Sequence, residues 1–411
     1  MNILFCISSL GIGGHVISSI ALAKELHRRG HNIIYASEDG QLREELEKCG
    51  MKWYPLPLFN RYSRILQLIF NNIPKLLHII AKEKIDIIHN HEIRRGLVSK
   101  VPAILKDVPN VTTIAGGTLP DILPARDEKL IVFSRELQEG FINKSGWNGN
   151  NIYVVANRID TERFRPGKAN SDLAEKLGIC GKYRNVLVMS RFEYHGGKVE
   201  ALLNILRAIP NIYDEIPDLK VSIAGHGSQQ RLIETEVSKI NRQMQKGVIK
   251  LVGTIHEPEG LFPIFDLAFG MGRTALESMS CGIPTLIIGS RGFGGVVCRE
   301  QVDEIAYCNF SGRNAKENTD EKEVANTVIK ILKNSETARE LSAFSRQYIL
   351  ENYDIKDGAS KVEKIYEKVM DSSPNRTSWQ KTTDLMRWIY GIIVIYPYLL
   401  VRKTRRVFQL H

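Results

Sequence analysis

The fold is indicated most directly by the stretch Ala268-Phe-Gly-Met-Gly-Arg-Thr-Ala-Leu-Glu-Ser-Met-Ser-Cys-Gly-Ile-Pro-Thr-Leu-Ile-Ile288. It consists of an apolar run, a glycine loop, a short helical pattern containing Glu277, and a second apolar run that follows Gly282. Short apolar runs separated by helical segments are typical of parallel strands whose sheet is covered by helices. The stretch therefore predicts an α/β fold.

The same alternation extends in both directions from this stretch. In the second half of the chain the predicted elements are Val186–Met189, a helix from about Lys198 to Ile209, Leu219–Ala224, a helix over Gln229–Met244, Ile249–Val252, Leu267–Phe269 and Thr285–Ile288. In the first half they are Ile3–Ile7, a helix over Val16–Arg29, Ile33–Ala36 and Ile85–His89. Two Rossmann-like doubly wound sheets are predicted.

Proline and glycine mark the boundary between these halves. Phe164-Arg-Pro-Gly167 and the polar stretch up to Lys182 interrupt both periodicities, so we place the boundary at residue 168. After residue 320 the strands stop and three helical patterns follow, Glu321–Lys333, Thr337–Leu350 and Asp357–Val369. A basic, aromatic tail over 376–411 ends the chain.

Composition excludes several classes of protein. With 411 residues, of which 43% are hydrophobic, the chain can bury two cores, and its net charge of +10 suits an anionic partner. The six cysteines form no Cys-x-x-Cys pair, so zinc and disulfide frameworks are not expected, and reduced cysteines favour the cytosol. The amino terminus has no basic region typical of a signal peptide, so export is not expected.

A glycine turn follows the first predicted strand. In Gly11-Ile-Gly-Gly-His15 the backbone N–H groups of Gly13 and Gly14 precede a helix, which favours binding of a phosphate. Val16 stands where a dinucleotide fingerprint needs its third glycine, which argues against a nicotinamide oxidoreductase. The alternative is a tight turn without a ligand.

Two stretches of the second half carry further candidate groups. Arg191 and Lys198 flank a glycine-rich loop between a strand and a helix, where their charges suit a pyrophosphate; a solvated surface loop is the alternative. In the stretch quoted first, the N–H groups of Gly272, Arg273 and Thr274 are predicted to face a ligand at a helix start. Glu277, one turn further on, suits the two hydroxyls of a ribose, or is a packing glutamate satisfied by its neighbours.

Taken together, these stretches resemble the retaining family-4 glycosyltransferases, whose two Rossmann-like domains form the GT-B fold. The resemblance covers roughly residues 1–370. Its motifs, in order, are Gly11–Gly14, Asp86-Ile-Ile-His-Asn-His91, Val155-Ala-Asn-Arg-Ile-Asp160, Ser190-Arg191 with Lys198, Ala224-Gly-His-Gly227, Val252-Gly253 and Gly270–Pro284. It implies an acceptor domain over 1–168, a donor domain over 169–350 and a helix over 351–372 that crosses back to the first domain.

The resemblance also implies roles for individual residues. Arg191 and Lys198 would neutralise the donor diphosphate as the nucleotide leaves, and Glu277 would bind the ribose. Gly13 and Gly14 would contact the phosphate, and Thr254 to His256 would lie near the base. His15 and His91 are candidates for the acceptor or the reacting centre. The resemblance implies that no metal is needed, and the chain contains no Asp-x-Asp. It also implies that the nucleotide sugar is a substrate rather than a cofactor.

This chain departs from the family pattern at two positions. The family commonly has a glutamate, in contact with the transferred sugar, eight residues before the ribose-binding one, where this chain has Phe269. A histidine near the reacting phosphate is replaced by Ala115. His89, His91 or His195 could substitute for it, although each is more commonly structural.

The carboxyl-terminal tail suits a lipid surface. Residues 376–411 contain seven Lys or Arg and one acid, hence a net charge of +6, around an apolar run from Trp388 to Val401. Fourteen residues with Pro397 among them are too few to span a bilayer, which needs ~20. We therefore expect Trp388, Tyr390 and further tyrosines at the headgroups, with arginines on anionic lipid; a helix docked on a partner or on the protein itself is the alternative.

The sequence thus predicts a metal-independent hexosyltransferase that moves a sugar, most simply from a UDP-sugar, to a lipid-linked or polysaccharide acceptor. It would be cytoplasmic, peripheral on the inner face of the cell membrane, and would not bind nucleic acid. Phe269 and Ala115 favour one rival, a catalytically degenerate nucleotide-sugar-binding subunit of a membrane glycan-assembly complex. A nucleotide-sugar 2-epimerase of the same fold is a third interpretation, although it gives no reason for the tail.

Overall fold

The computed structural model describes residues 1–56, 71–116, 128–194, 197–255, 257–289, 292–315, 320–372 and 376–390. The strands are β1 (Asn2–Ser9), β2 (Asn32–Glu38), β3 (Lys52–Pro55), β4 (Ile87–Asn90), β5 (Asn110–Ile114), β6 (Lys129–Val132), β7 (Ile152–Val154), β8 (Arg184–Met189), β9 (Leu219–Ala224), β10 (Ile249–Gly253), β11 (Leu267–Gly270), β12 (Thr285–Gly289) and β13 (Gly292–Val296).

The α-helices in this part of the chain are α1 (Gly14–Arg28), α2 (Arg43–Lys48), α3 (Ile73–Glu83), α4 (Ile93–Lys106), α5 (Arg135–Ser145), α6 (Ser171–Lys176), α7 (Lys198–Glu215), α8 (Gln230–Gln243), α9 (Arg273–Ser280), α10 (Val302–Tyr307), α11 (Glu321–Lys333), α12 (Ser335–Asn352), α13 (Ile355–Asp371) and α14 (Ser378–Tyr390).

The chain forms two compact units, and unit 1 comprises Met1–Arg158 with Ile355–His411. Its sheet has the order β3-β2-β1-β4-β5-β6-β7, and all neighbouring strands are parallel. Side chains alternate along the central strand β1: Phe5 packs in a core shared with α1 and α13, whereas Leu4 packs in a second core shared with α3 and α4. Both faces of this sheet are therefore covered.

Unit 2 comprises Ile159–Asp354 and contains a six-stranded sheet of order β10-β9-β8-β11-β12-β13. Five strands are parallel, as the sequence predicts, but the edge strand β13 runs antiparallel to β12. Both observed sheets confirm the doubly wound α/β class. An antiparallel edge is common in such sheets.

Helix α7 is longer than its sequence pattern predicts. The pattern ends at Ile209 because Pro210 follows, yet the helix continues through this proline to Glu215. Proline in a helix interior costs about 3 kcal/mol. Ile212, beyond the proline, is buried in the core of unit 2, and this packing offsets the cost.

The chain leaves unit 1 after Arg158, earlier than the predicted boundary at residue 168. Hydrogen bonds explain the difference, because they join the intervening residues to unit 2. The Ile159 N–H donates to the Tyr353 carbonyl at 2.8 Å, and the Phe164 carbonyl accepts from the Ser280 hydroxyl at 2.6 Å. The chain returns to unit 1 at Ile355, whereas the sequence places the end of the second domain at residue 350.

The two carboxyl-terminal helices both belong to unit 1. Helix α13 packs its buried Val362 and Tyr366 into the core beside α1. Helix α14 has no buried residue. Within the described ranges, no helix has the length and apolarity that a bilayer crossing requires. Residues 391–411, which hold the rest of the predicted tail, lie outside the described residues.

Candidate functional site

In unit 2, three loops meet at the carboxyl edge of the sheet, where ligands of doubly wound proteins bind. The loop after β8 is joined to the loop after β9, since the Ser190 N–H donates to the Ala224 carbonyl at 3.1 Å. The Gly225 N–H donates to the Gly253 carbonyl at the end of β10, at 2.8 Å. Gly225 has φ +144°, and a Cβ on it would lie 1.8 Å from the Ser190 carbonyl oxygen. The close approach of these loops therefore requires glycine.

Two cations are brought together by the first of these loops. Arg191 is exposed on it, and Lys198 begins α7 and is half-buried. Burial lowers the pKa of the Lys198 ammonium, and the charge of Arg191 lowers it further. A bound anion would offset the repulsion between these two cations. The predicted diphosphate-binding pair thus shares one loop, although His195 between the two lies outside the described residues.

The conformation of the same loop is fixed by the carboxylate of Glu193, which the sequence alone did not indicate. Glu193 accepts hydrogen bonds from the backbone N–H of Ser228 at 2.9 Å and from its hydroxyl at 2.6 Å. These two bonds hold the pKa of the Glu193 carboxyl below its usual value. Glu193 also opposes the fall in the Lys198 pKa. No local pattern signals this contact, because Ser228 lies 35 residues further along the chain.

The start of α9 differs in part from the prediction. The Gly272 N–H, expected to face a ligand, donates to the Phe310 carbonyl at 2.6 Å. Arg273 donates from Nε to Oε1 of Glu277 at 2.7 Å, and both side chains are buried. Burial raises the pKa of the Glu277 carboxyl, and the Arg273 charge opposes the rise. Thr274 is half-buried in the first turn of the helix. The role of Glu277 as a ribose ligand stays a prediction.

Phe269 does not offer a polar group at this edge. It is 1% exposed on β11 and belongs to the hydrophobic core that also contains Val188 and Ile223. The position where the family commonly has a sugar-contacting glutamate is therefore occupied by a core side chain.

Near the end of β10, Thr254 and His226 lie side by side. The Thr254 hydroxyl is 2.9 Å from Nδ1 of His226. The backbone carbonyl of His226 accepts from the Phe192 N–H at 3.0 Å, so this pair is fixed to the loop that carries Arg191. Thr254 is exposed, and His256, predicted beside it near the base, lies outside the described residues.

Unit 1 presents its own glycine turn at the carboxyl end of β1. Gly13 is the extended residue before α1, Gly14 begins the helix and is exposed, and the first turn contains no acidic residue. His15 in that turn places Nε2 3.3 Å from Oε1 of Glu92, which precedes α4. Glu92 also accepts from the Ser8 hydroxyl at 3.4 Å. His15 is thus in reach of solvent and adjacent to a carboxylate.

The histidines after β4 are in a different environment. His89 is fully buried, and its two ring nitrogens are 2.5 Å from the Tyr366 hydroxyl and 2.6 Å from the Thr113 hydroxyl. Burial, with a contribution from the charge of Arg158, lowers its pKa to about 3. Such a histidine holds α13 on the sheet. His89 is therefore structural in this fold, as the sequence analysis considered more common.

His91 stacks on His89 with ring centroids 4.3 Å apart and is 4% exposed. Burial, and then the charges of neighbouring groups including His89, hold its pKa well below the usual value. Among the described residues, its Nε2 atom has no hydrogen-bond partner. His91 is therefore neutral at pH 7 and keeps one nitrogen available. Ala115, just after β5, is half-buried.

Arg158 is a further buried group that the sequence analysis did not identify as part of the site. It is 1% exposed and donates from Nη2 to the Ser18 hydroxyl at 3.3 Å. Its charge lowers the pKa values of His89 and His91. Arg158 belongs to the motif Val155-Ala-Asn-Arg-Ile-Asp160, which is the feature of the sequence that could have indicated it.

None of the described residues forms a group of three or more His, Cys, Asp or Glu side chains that could hold a metal ion.

Comparisons with known proteins agree with this two-unit arrangement. Residues 12–163 match Glycosyltransferase Family 4, and residues 170–348 match Glycosyl transferases group 1. Together the two matches cover most of the chain. The first lies within unit 1 apart from its last residues, and the second lies within unit 2.

Two curated proteins and one solved structure illustrate the similarity. The chain is 26% identical to an Escherichia coli UDP-Gal:α-D-GlcNAc-diphosphoundecaprenol α-1,3-galactosyltransferase, over 66% of this chain and 74% of that protein. It is 24% identical to a Bacillus anthracis N-acetyl-α-D-glucosaminyl L-malate synthase, over 89% of this chain and 96% of that protein. A glycosyltransferase structure from Rickettsia africae superposes with a TM-score of 0.72 at 17% identity, covering 90% and 99% of the two chains.

The structural likeness shows the fold, and the two family matches show the kind of enzyme. Both sheets, with the helices that cover them, have the fold of a GT-B protein. The chain therefore belongs to the GT-B glycosyltransferases that combine a Family 4 domain with a group 1 domain.

Proposed function

We propose that this enzyme transfers a hexose from a nucleotide diphosphate, most simply UDP, to a lipid-linked or polysaccharide acceptor. The observation that carries the proposal is the loop of unit 2 that brings Arg191 and Lys198 together at the carboxyl edge of the sheet. There burial, and then the charge of Arg191, lower the pKa of Lys198. A diphosphate bound beside the loop would neutralise both cations.

The chemistry follows from the charge that develops on the donor. The bond between the sugar C1 and the phosphate oxygen breaks, the acceptor oxygen forms a new bond to C1, and the leaving phosphate takes the acceptor proton. Negative charge then grows on the diphosphate, where Arg191 and Lys198 stabilise it. Attack from the same face retains the anomeric configuration and requires positioning more than a separate general base.

Several observations support the donor and the acceptor that we propose. The Escherichia coli relative is named for UDP-Gal and for an acceptor linked to diphosphoundecaprenol, and its product linkage is α-1,3. An α-linkage is the outcome of retention with an α-linked donor. We assign the donor mainly to unit 2 and the acceptor mainly to unit 1, where the acceptor candidates His15 and His91 lie at the carboxyl edge of the sheet. The basic tail would keep the enzyme on the cytoplasmic membrane face, where a lipid-linked acceptor is found.

A degenerate, nucleotide-binding subunit is the alternative, and it is not favoured by the relatives, which are named as a galactosyltransferase and a synthase. It would be stabilised by a nucleotide without releasing one from the donor. Turnover with membrane lipid present separates the two candidates.

The test begins with the thermal stability of the full chain in the presence of UDP, GDP, ADP and UDP-sugars. Each UDP-sugar is then assayed for release of UDP with and without a bacterial lipid extract. We expect stabilisation by UDP, UDP release that depends on the lipid, and a product whose anomeric proton coupling in NMR shows retention.

Arg191→Ala tests the site itself. Losing one cation at the developing charge should cost about 2–4 kcal/mol of transition-state stabilisation, a decrease in kcat/KM of roughly 30- to 900-fold. Arg207→Ala is the matched control, since Arg207 is an exposed arginine on α7 whose nearest carboxylate oxygen, on Glu321, is 3.9 Å away. Turnover that is equal in both variants would contradict the assignment of Arg191.

A further inference from the structure

Helix α14 carries the most exposed apolar side chains of the described residues. Trp379 is 79% exposed, Met386 65% and Tyr390 60%, whereas the next most exposed large apolar side chain, Tyr194, is at 54%. Ile389 on the same helix is 46% exposed. A globular protein rarely leaves several such groups side by side without a partner.

The four side chains form one stripe along the helix. Trp379, Met386 and Tyr390 are spaced seven and four residues apart, which at 3.6 residues per turn places them within an arc of about 40°. Ile389 flanks this arc. We call these four residues the apolar stripe.

The opposite side of α14 is occupied by ion pairs, which join it to the end of α4. Arg376, just before the helix, lies 3.9 Å from Asp107 and 3.2 Å from Asp384, and Lys381 pairs with Asp107. Asp107 ends α4 in a left-handed conformation, with φ 54°. The helix is therefore held on α4 through charged groups, and the apolar stripe faces away from them.

This arrangement differs from the sequence prediction in two respects. Arg376, expected with the other arginines on anionic lipid, pairs with Asp107 instead, as does Lys381. Trp388, expected at the headgroups, is half-buried and lies about 180° around the helix from Trp379, on the docked side. Of the apolar and basic side chains in the described part of the tail, those of the apolar stripe and Arg387, which is 75% exposed, are the exposed ones.

We propose that the apolar stripe inserts into the headgroup region of an anionic lipid bilayer and that the pairs with Asp107 thereby fix one side of unit 1 against the membrane. This inference deepens the membrane location that the proposed function assumes. Arg387 borders the stripe, and the chain continues from it into an apolar run, 391–401, followed by Arg402, Lys403, Arg405 and Arg406. Aromatic and basic groups in this order match the interface of an anionic membrane.

A second copy of the chain is a weaker match to the stripe. Aromatic side chains bury about 150–250 Å² each, so four partly exposed side chains offer roughly 500 Å². A stable interface needs ~800 Å² from each partner. A bilayer has no such minimum, because a helix binds it through apolar burial and attraction to anionic lipid together.

The experiment measures co-sedimentation of the full chain with vesicles of phosphatidylcholine alone and of equal parts phosphatidylcholine and phosphatidylglycerol, without nucleotide. The test variant is Trp379→Ser with Met386→Ser, and the matched control is Leu350→Ser, an apolar residue of α12 that is 38% exposed. We expect binding to the anionic vesicles that the control retains and that the double variant weakens at least about tenfold. Residues 391–411 are unchanged in both, so their contribution is the same.

Hydrogen exchange of the segment 378–390 provides a second measurement that does not depend on a variant. We expect it to slow when anionic vesicles are added. Equal vesicle binding by all three proteins, or exchange that the vesicles leave unchanged, would overturn the proposal. So would light scattering that shows a lipid-free dimer lost in the double variant, which would assign the stripe to a second copy. Vesicle binding without sugar transfer would instead refute the proposed function, and the proposal that the apolar stripe binds lipid would stand.

Discussion

Replacing Gly225 with alanine should destabilise unit 2 strongly. The residue has φ +144°, and a Cβ would lie 1.8 Å from the Ser190 carbonyl oxygen and 3.2 Å from the Phe192 ring. Backbone strain of this kind costs about 1–3 kcal/mol, and forcing extra volume into a packed site costs about 1–3 kcal/mol more. The free energy of unfolding should therefore fall by roughly 2–6 kcal/mol. Gly247→Ala, where no atom lies within 4 Å of the added Cβ, should change it by no more than about 1 kcal/mol.

The distribution of tryptophan makes this prediction measurable in one unit. All four tryptophans, Trp53, Trp147, Trp379 and Trp388, belong to unit 1. Tryptophan fluorescence during urea unfolding therefore follows unit 1, whereas far-UV circular dichroism follows the helices and strands of both units. In Gly225→Ala the dichroism midpoint should fall. The fluorescence midpoint should fall with it only if the two units unfold together.

The same variant should bind the donor more weakly, because the strained contact lies between the loops after β8 and β9. Displacement of Ser190 moves Arg191, its neighbour in sequence. An unfolding midpoint that equals that of Gly247→Ala would refute the reasoning, since it would mean that the loops can separate at no cost.

Two further predictions concern charge. His91 and His89 have folded pKa values far below the 6.5 of an unfolded chain, so the unfolded state binds more protons. The free energy of unfolding of unit 1 should reach its maximum above about pH 6.5. Below that pH it should decrease, with a slope that approaches ~1.4 kcal/mol per pH unit for each histidine. In unfolding followed by fluorescence, His91→Gln should reduce this slope, and an unchanged slope would contradict the low pKa assigned to His91. Glu193→Gln should raise the KM for the donor severalfold. It should also shift the alkaline limb of kcat/KM to lower pH, because Glu193 raises the pKa of Lys198. The control is Glu234→Gln, which should change neither value, since the Glu234 carboxylate accepts a hydrogen bond from Gln230 on the same helix.

The sequence predicts the strands of unit 2 well. Val186–Met189, Leu219–Ala224 and Thr285–Ile288 each coincide with an observed strand to within two residues at either end. Such short apolar runs need no knowledge of their neighbours, because strands buried on both faces are apolar throughout. The edge strand β13, Gly292–Val296, was missed, since three of its five residues are glycine.

The chemistry of the candidate site was only partly predictable. The sequence identifies Arg191 and Lys198 as partners across a glycine loop, and the structure places them close enough to interact. It does not reveal that the Gly272 N–H is taken by Phe310, or that Glu277 is held by Arg273 in a buried pair. Phe310 is distant from Gly272 in sequence, and the pair of Glu277 and Arg273 depends on burial, which composition does not show.

The features that could be predicted from the chain alone are local: the periodicity of strands and helices, the glycine turns at Gly13 and Gly225, and the order of motifs that indicates the family. These features depend on backbone conformation and on neighbours within a few residues. Which distant groups meet became clear from the tertiary structure. In the folded chain Glu193 contacts Ser228, burial lowers the pKa values of His89 and His91, and Lys381 pairs with Asp107. Such pairings depend on how the elements pack, and packing leaves no periodic pattern in the chain.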